Sequence, residues 1–176
     1  MSNVIVSVII AAYNSGEFLG QAIESILNQS YRCFELIVVD DASTDDTNSV
    51  AGRYASADDR VQLITNNHNL GRAAARNIAL QKCLGSYVAI LDADDVALPD
   101  RLQTQVRYLE SRPDVFLVGG NAIRINSENE HLGRTSVCTD EALLRKELGR
   151  KNMIIHPTVM ARNAGHVRYR EKFPYS

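Results

Sequence analysis

Short apolar segments alternate with helical patterns along this chain, and the alternation restricts its fold more than any other feature. Four runs rich in β-branched residues have the composition of buried strands, at residues 4–11, 34–39, 61–65 and 87–91. Between them lie segments with helical character, including apolar residues at positions 19, 22, 23, 26 and 27 and an Ala-rich stretch at 73–84. Strands that alternate with helices of this length are typical of βαβ units, so we predict an α/β fold with a mostly parallel sheet.

The pattern becomes less regular in the last third of the chain. We predict a fifth strand at 115–118, a helix at 141–148 and a further strand at 153–160, with a polar segment at 128–140. No repeat, linker or low-complexity segment divides the 176 residues, and this length suits one domain with a well-buried core.

Composition excludes several classes of protein. Lys and Arg number 19 against 21 Asp and Glu, so the chain lacks the basic excess of a nucleic-acid-binding protein. The three cysteines are scattered without a CxxC pair, which favours reduced thiols in the cytoplasm over disulfides or a zinc site. The apolar start has no Lys or Arg before Arg32 and is too short to span a bilayer, so we interpret it as a strand and not as a signal peptide.

Polar residues follow three of the predicted strands. Tyr13 and Asn14 follow the first strand, an acid pair that ends in Asp41 follows the second, and an acid cluster at 92–95 follows the fourth. Ligands of open α/β sheets bind beyond the carboxyl ends of the strands. Clustered carboxylates repel one another, and Mg²⁺ or Mn²⁺, which prefer oxygen ligands, would relieve that repulsion. A solvated acidic loop that caps the next helix is the alternative interpretation.

Four segments carry a resemblance to a known family. In chain order they read VSVIIAAYNSGEFLGQAIESILNQSY, FELIVVDDASTDDT, NLGRAAARN and AILDADDVALPDRL. They resemble the nucleotide-binding half of family 2 glycosyltransferases, which have the GT-A fold, a Rossmann-like and mostly parallel sheet flanked by helices. The resemblance is dense over about the first 110 residues and continues more thinly through NMIIHPTVMARNA.

The resemblance implies roles for individual residues. Asp41 would accept a hydrogen bond from the nucleotide base, Tyr13 would pack against the base or ribose, and Arg72 would reach the nucleotide beside Gly71. Asp92 and Asp94 form a DxD motif that would bind Mn²⁺ or Mg²⁺. The full set implied at the nucleotide is Ala11, Tyr13, Asp41, Gly71, Arg72, Asp92 and Ala93. For Asp41 a helix-capping role, and for Tyr13 a role as a wall of the core, are the structural alternatives.

Four further residues are weaker candidates for the same site. Asn14 lies beside Tyr13, and Asp95 could support the metal site or cap a helix. Arg76 could reach the nucleotide or form a structural ion pair with an acid at the end of the sheet. His156 stands where the family often contacts the acceptor or phosphate, although a lone histidine is more often structural.

The implied activity is transfer of a sugar from a nucleoside-diphosphate sugar to a hydroxyl of a carbohydrate or lipid-linked acceptor, with inversion. UDP is favoured over GDP or dTDP, and synthesis of cell-envelope polysaccharide is the implied role. The implied location is the cytoplasm, with membrane association of a full-length protein. Three other readings are a nucleotidyltransferase, a phosphotransfer receiver domain and a non-catalytic nucleotide-sugar-binding module. A nucleotidyltransferase would have a Gly-rich phosphate loop, and a receiver domain would have an acid pair after the first strand; this sequence has neither.

One family feature has no match in this sequence. Inverting members carry an acidic general base shortly after a segment that resembles residues 169–176, and Glu171 comes too early in that pattern. We therefore expect the base beyond Ser176, with a nucleotide-binding half at 1–112 and the start of an acceptor-side half at 113–176. On this basis the chain should bind nucleotide and metal but transfer sugar poorly. Apolar surface that later residues would normally cover would be exposed, and we expect it to favour a homodimer.

Overall fold

The computed structural model describes residues 5–165 and 167–171. The helices are α1 (Gly16–Leu27), α2 (Thr47–Ala57), α3 (Arg72–Leu80), α4 (Arg101–Ser111) and α5 (Glu141–Glu147). The strands are β1 (Val6–Ala12), β2 (Phe34–Asp40), β3 (Val61–Thr65), β4 (Tyr87–Ile90), β5 (Leu117–Val118), β6 (Ile123–Ile125), β7 (His131–Arg134) and β8 (Met160–Arg162).

The main sheet has six strands in the order β3-β2-β1-β4-β8-β5. Strands β1 to β4 are all parallel, and β8 runs antiparallel to both β4 and β5. Helices connect the parallel strands, so the mostly parallel α/β sheet predicted from the alternating pattern is confirmed. Strand β1 lies at the centre, where Ile9 stands opposite Ile37 of β2 and Ile90 of β4.

Alternate side chains of the central strands enter two separate cores. Val8 and Ile10 point to the face that packs against α1, α2 and α4, whereas Ile9 and Ile37 point to the face that α3 covers. Both faces of these parallel strands contact a core, so successive residues are apolar, which explains the nearly continuous apolar runs in the sequence.

One prediction for the last third of the chain is wrong. The predicted strand at 153–160 is a 3-10 helix at His156–Thr158 followed by the short strand β8. Pro157 has no backbone N–H for a strand ladder, and its fixed φ suits the start of a helical turn instead. The polar segment at 128–140 includes β7, which pairs with β6 as a separate hairpin.

The remaining elements differ from the predictions mainly at their ends. Helix α3 ends at Leu80 and not at residue 84, and strand β5 contains only two of the four predicted residues. The predicted start of the first strand, Val4, lies outside the described residues. In the described part of the chain, no helix has the length and apolar content that a bilayer span requires.

Candidate functional site

The polar residues that follow β1, β2 and β4 lie at one edge of the sheet. These three strands are adjacent and parallel, so their carboxyl ends point the same way. The Asp41 N–H donates to the carbonyl of Ala12 at 2.9 Å, and the Leu91 N–H donates to the carbonyl of Ile9 at 3.1 Å. Asp41 and the acid cluster at 92–95 therefore share the edge to which Tyr13 also belongs, as the sequence predicts.

The loops after β1 and β2 are joined by hydrogen bonds. The Asn14 N–H donates to Ser43 Oγ at 3.0 Å, and Asn14 Oδ1 accepts from the Thr44 N–H at 2.8 Å. Further along, the Gly16 N–H donates to Asp45 Oδ2 at 3.0 Å. Asn14 and Ala42 both adopt positive φ, at 48° and 61°, where non-glycine residues are uncommon. In this structure Asn14 has the clear role of connecting two loops.

Asp40 and Asp41 are adjacent buried acids with different partners. Asp40 accepts from the Ser43 N–H at 3.0 Å and from Asn48 Nδ2 at 2.8 Å, so it supports the turn after β2. Asp41 is only 3% exposed and accepts from Asn66 Nδ2 at 2.7 Å, from the Leu70 N–H at 3.0 Å and from the Gly71 N–H at 2.8 Å.

The bonds of Asp41 fix the loop that leads into α3. They go to residues 66–71 and not to the first turn of α2, which argues against the helix-capping alternative for Asp41. Gly71 has φ of 86° and ψ of 156°, a backbone conformation that glycine adopts readily and residues with a Cβ do not. The next residue is Arg72, which is exposed and begins α3. Backbone N–H groups and a guanidinium thus lie together where an anion could bind.

The acid cluster after β4 is not a set of equivalent carboxylates. Asp92 Oδ1 accepts from Arg76 Nη2 at 2.7 Å, and Arg76 itself is only 8% exposed. This contact is the predicted ion pair between Arg76 and an acid at the end of the sheet. Asp94 is exposed. Burial, followed by repulsion from Asp92 and Asp94, raises the pKa of the Asp95 carboxyl to about 6.

Arg101 is a structural contributor to this edge that sequence reasoning missed. Its Nη2 donates to the carbonyls of Ile90 at 2.7 Å and Val159 at 3.2 Å, which ties the end of β4 to the chain just before β8. Burial lowers the pKa of the guanidinium to about 10, and the nearby charge of Asp95 partly opposes this effect. The available signal was an arginine in the first turn of a helix that directly follows the acid cluster.

The carboxylates of this cluster suit a cation that takes most of its ligands from water and substrate phosphates. Across residues 5–165 and 167–171, no three His, Cys, Asp or Glu side chains converge as a ready-made metal site. Mg²⁺ and similar hard cations are usually held by one or two carboxylates together with water and substrate phosphates. Exposed Asp94, with Asp92 beside it, matches this requirement, and the mutual repulsion within the cluster favours a positive ion there.

His156 lies in a partly buried cluster with Tyr169 and Arg76, beside the acid cluster. Its Nε2 is 2.9 Å from the hydroxyl of Tyr169, and the guanidinium carbon of Arg76 lies 5.6 Å from the centre of the Tyr169 ring. Burial and the positive charge of Arg76 lower the pKa of His156, so the ring favours the neutral form. The segment at 167–171 is held on α3 by Asn77, whose side chain bonds the backbone N–H and carbonyl of Tyr169 and the carboxylate of Glu171.

A cavity of about 300 Å³ adjoins this cluster on the side of the sheet that α3 covers. Its lining is largely apolar and includes Val88, Ile90, Leu117 and Val159. His156 and Tyr169 also line it, together with polar residues such as Arg162 and Asn163. His156 therefore has a structural partner in Tyr169, and it also borders a space that a further group could fill.

Comparison with known protein families gives one match over most of the chain. The family model described as Glycosyl transferase family 2 matches residues 7–170. An uncharacterised glycosyltransferase, MJ1057 of Methanocaldococcus jannaschii, is 33% identical over 174 residues, which cover 93% of this chain and 57% of the relative. The putative teichuronic acid biosynthesis glycosyltransferase TuaG of Bacillus subtilis is 37% identical over 119 residues, 68% of this chain and 47% of TuaG.

A third relative has a name that specifies its reaction. It is the UDP-Glc:alpha-D-GlcNAc-diphosphoundecaprenol beta-1,3-glucosyltransferase WfaP of Escherichia coli, 39% identical over 112 residues, 64% of this chain and 44% of WfaP. The chain thus spans about half the length of the curated relatives that it matches.

Solved structures show the same fold. The mannosyltransferase PcManGT from Pyrobaculum calidifontis, in complex with GDP-Man and Mn²⁺, has a TM-score of 0.62 at 33% identity over 68% of this chain and 35% of PcManGT. TarS of S. aureus has a TM-score of 0.72 at 23% identity over 96% of this chain and 31% of TarS. The likeness to TarS concerns the fold alone, and with PcManGT it confirms the predicted GT-A type α/β architecture.

Proposed function

The chain belongs to glycosyl transferase family 2, and from this membership we propose that it forms the donor-binding part of an enzyme that transfers a sugar from a nucleoside-diphosphate sugar. The observation that carries the proposal is the grouping of Asp41, Arg72 and the acid cluster at 92–95 at one edge of the sheet. Each group matches a different part of such a donor. The base requires a hydrogen-bond acceptor, the diphosphate requires positive charge, and the bound cation requires carboxylates.

Asp41 is suited to the base. Its carboxylate has about four acceptor positions and uses three of them for the loop at 66–71, so one position is left for an imide N–H. Uracil and thymine offer one such N–H, and guanine offers an N–H with an adjacent amino group. UDP is our first choice because WfaP is named for UDP-Glc, although PcManGT was solved with GDP-Man. Tyr13, which is exposed at the end of β1, would cover the base or ribose.

The diphosphate would lie between the start of α3 and the acid cluster. Gly71 lets the backbone approach the ligand closely, while Arg72 and the first N–H groups of α3 supply positive potential. Asp94 and Asp92 would hold Mn²⁺ or Mg²⁺, and the Mn²⁺ in the PcManGT complex supports this choice. When bound, the cation neutralises charge on the departing nucleoside diphosphate. The Arg76 ion pair would keep the Asp92 carboxylate oriented.

The acceptor is expected to be a carbohydrate or lipid-linked hydroxyl of the cell envelope, because the names of TuaG and WfaP specify teichuronic acid and a diphosphoundecaprenol-linked sugar. We propose inversion at the anomeric carbon, as the family resemblance implies. We assign no described residue as general base, since Glu171 is hydrogen-bonded to Asn77 at 2.8 Å. Product NMR on a full-length protein tests this part, and a retained anomeric configuration would contradict it.

Calorimetric titration with UDP, GDP and dTDP, each with and without Mn²⁺, tests donor binding by the 176-residue chain. We expect UDP to bind most tightly and its affinity to increase with Mn²⁺. Asp94→Asn should remove most of the increase in UDP affinity that Mn²⁺ causes. Asp41→Asn should lower the affinity for UDP at least tenfold. Asp59→Asn, at an exposed position, is the matched control. Equal affinities for Asp94→Asn and wild type with Mn²⁺, or no binding of any of the three nucleotides, would refute the proposal.

A further inference from the structure

Residues 167–171, the last that the structure describes, lie against helix α3. The segment is neither helix nor strand, and side-chain bonds from Asn77 of α3 hold it in place. Asn77 Oδ1 accepts from the Tyr169 N–H at 2.8 Å, and Asn77 Nδ2 donates to the Tyr169 carbonyl at 2.9 Å and to Glu171 Oε1 at 2.8 Å. Both backbone polar groups of Tyr169 are therefore fixed by one side chain of the helix.

The side chain of Tyr169 contacts two groups at once. Its ring centre lies 5.6 Å from the guanidinium carbon of Arg76, within the distance at which an aromatic face attracts a cation. Its hydroxyl lies 2.9 Å from Nε2 of His156, and the two rings meet edge to face. Burial raises the pKa of the Tyr169 hydroxyl, so the group stays neutral and available for this hydrogen bond. The ring is thus fixed by α3 at its backbone and by His156 at its tip.

Arg76 connects Tyr169 to the acid cluster. The guanidinium is largely buried, and its Nη2 donates to Asp92 Oδ1 at 2.7 Å. An arginine side chain has many rotamers, so ordering it for one ion pair costs conformational entropy. A ring held beside the guanidinium excludes some of those rotamers before the pair forms. Tyr169 therefore favours the arrangement of Arg76 that binds Asp92.

We propose that Tyr169 is a positioning residue for the cation site, because it orients Arg76 and Arg76 in turn orients the Asp92 carboxylate. The inference rests on the proposed function, in which Asp92 and Asp94 hold the cation. Groups around the ligands of a metal orient those ligands and thereby raise the affinity for the metal. A packing role for Tyr169 would instead stabilise the fold, and its effect would not depend on the guanidinium of Arg76.

Four substitutions separate these two roles. Tyr169→Leu removes the ring but keeps an apolar side chain and every charge, so it tests orientation and not electrostatics. Tyr169→Phe keeps the ring and removes only the hydroxyl. Arg76→Lys keeps the positive charge but replaces the planar guanidinium, which stacks on aromatic rings, by a compact ammonium group. Tyr108→Leu, at an exposed position of α4, is the matched control.

The first measurement is calorimetric titration of each variant with UDP in the presence of Mn²⁺. We expect Tyr169→Leu to lower the affinity about three- to tenfold, less than the roughly 10–100-fold loss that follows removal of a direct partner of a metal ligand. Tyr169→Phe and Tyr108→Leu should stay within about twofold of wild type. In the Arg76→Lys background, Tyr169→Leu should have little further effect, because the guanidinium on which the ring acts is absent.

The second measurement requires neither nucleotide nor metal. Nitrogen-15 relaxation of the Arg76 Nε–H group reports how rigidly the guanidinium is held on the picosecond to nanosecond timescale. We expect this group to be as rigid as the backbone of α3 in wild type, Tyr169→Phe and Tyr108→Leu. In Tyr169→Leu it should become mobile.

Wild-type affinity for UDP with Mn²⁺ in Tyr169→Leu would overturn the inference. An equal loss of affinity in the Arg76→Lys background would also overturn it, because Tyr169 would then act on the fold and not through Arg76. So would an Arg76 Nε–H group that stays rigid in Tyr169→Leu. Failure of wild type to bind UDP with Mn²⁺ would refute the proposed function instead, and the relaxation result would then decide by itself whether Tyr169 positions Arg76.

Discussion

At the scale of single residues, the site depends on buried acids whose oxygens organise the backbone around them. Asp41 accepts three hydrogen bonds from the loop before α3, so one side chain both shapes that loop and faces the edge of the sheet. The structural role of Asp41 and the binding role that we propose for it thus belong to one side chain. The motif in the sequence identified the residue, but no local pattern could identify bonds to partners 25 to 30 residues away.

Asp41→Asn tests the structural half of this role. The amide keeps the size of the side chain but loses the charge and one of the two accepting oxygens, and hydrogen bonds to charged groups contribute about 1.5–3 kcal/mol. We expect the free energy of unfolding in urea to fall by about 2 kcal/mol. The exposed Asp59→Asn control should change it by less than about 0.5 kcal/mol. A change in Asp41→Asn as small as in the control would contradict the role that we assign to these bonds.

Ala42 lies beside Asp41 in a left-handed backbone conformation, with φ of 61°. This conformation costs a residue with a Cβ about 1–2 kcal/mol, and glycine avoids that cost but loses more entropy on folding. We therefore expect Ala42→Gly to raise the free energy of unfolding by about 0.5–1 kcal/mol. Ala55→Gly, within α2, should lower it by a similar amount. Thermal and urea unfolding measure both, and destabilisation by Ala42→Gly would show that the loop gains nothing from relief of strain.

At the scale of elements, the parts predicted well are those whose side-chain pattern reports burial. The central strands are apolar on both faces and could be located from sequence because this composition is typical of buried parallel strands. The β6–β7 hairpin is largely exposed and polar, so its strands leave no such pattern. The sequence therefore does not predict the hairpin, which contacts α1 through the hydrogen bond from Gln21 Nε2 to Asn129 Oδ1.

Helix α3 and strand β4 are connected by the Arg76–Asp92 ion pair, and a double-mutant cycle measures this connection. Arg76→Met leaves Asp92 without its partner, and breaking a largely buried pair should cost about 2 kcal/mol because Asp92 remains partly exposed. Adding Asp92→Asn should recover at least half of that loss. Arg53→Met, on the exposed side of α2, is the control. Additive effects of the two substitutions would contradict a direct interaction.

The turn between α2 and β3 gives a prediction for pH dependence. A side-chain hydrogen bond from Arg60 lowers the pKa of Asp58 to about 2, and the two side chains are 2.7 Å apart. The folded state thus prefers ionised Asp58, so the resulting stability is complete above the unfolded pKa of about 3.9 and is lost as the pH falls through about 2.

Asp58→Asn should therefore lower the free energy of unfolding by about 1 kcal/mol at pH 7, after allowance for solvent screening of this partly exposed pair. The difference from wild type should shrink steadily between pH 4 and pH 2. Urea unfolding at several pH values measures it, with Asp59→Asn as the control. A difference that stays constant down to pH 2 would rule out the ion pair as its cause.

At the scale of the whole molecule, parallel topology brings the candidate site together. Residues 13, 41, 72 and 92–95 are far apart in sequence, yet each follows a strand or begins a helix at the same edge. Sequence reasoning could predict this grouping because parallel strands joined by helices put all their carboxyl ends on one side. It could not predict how Arg76, Arg101 and Asn77 support the edge, since those contacts depend on three-dimensional packing.

The most direct test of this grouping is the paramagnetic effect of Mn²⁺ on amide NMR signals in the presence of UDP. A Mn²⁺–UDP complex held by the acid cluster should broaden the amides of residues 92–95 and of Gly71, and leave Gly85, at the opposite end of β4, sharp. Mg²⁺ with UDP is the diamagnetic control. Broadening centred on Gly85, or UDP binding without any broadening at 92–95, would contradict the claim that one edge of the sheet binds the nucleotide and its cation together.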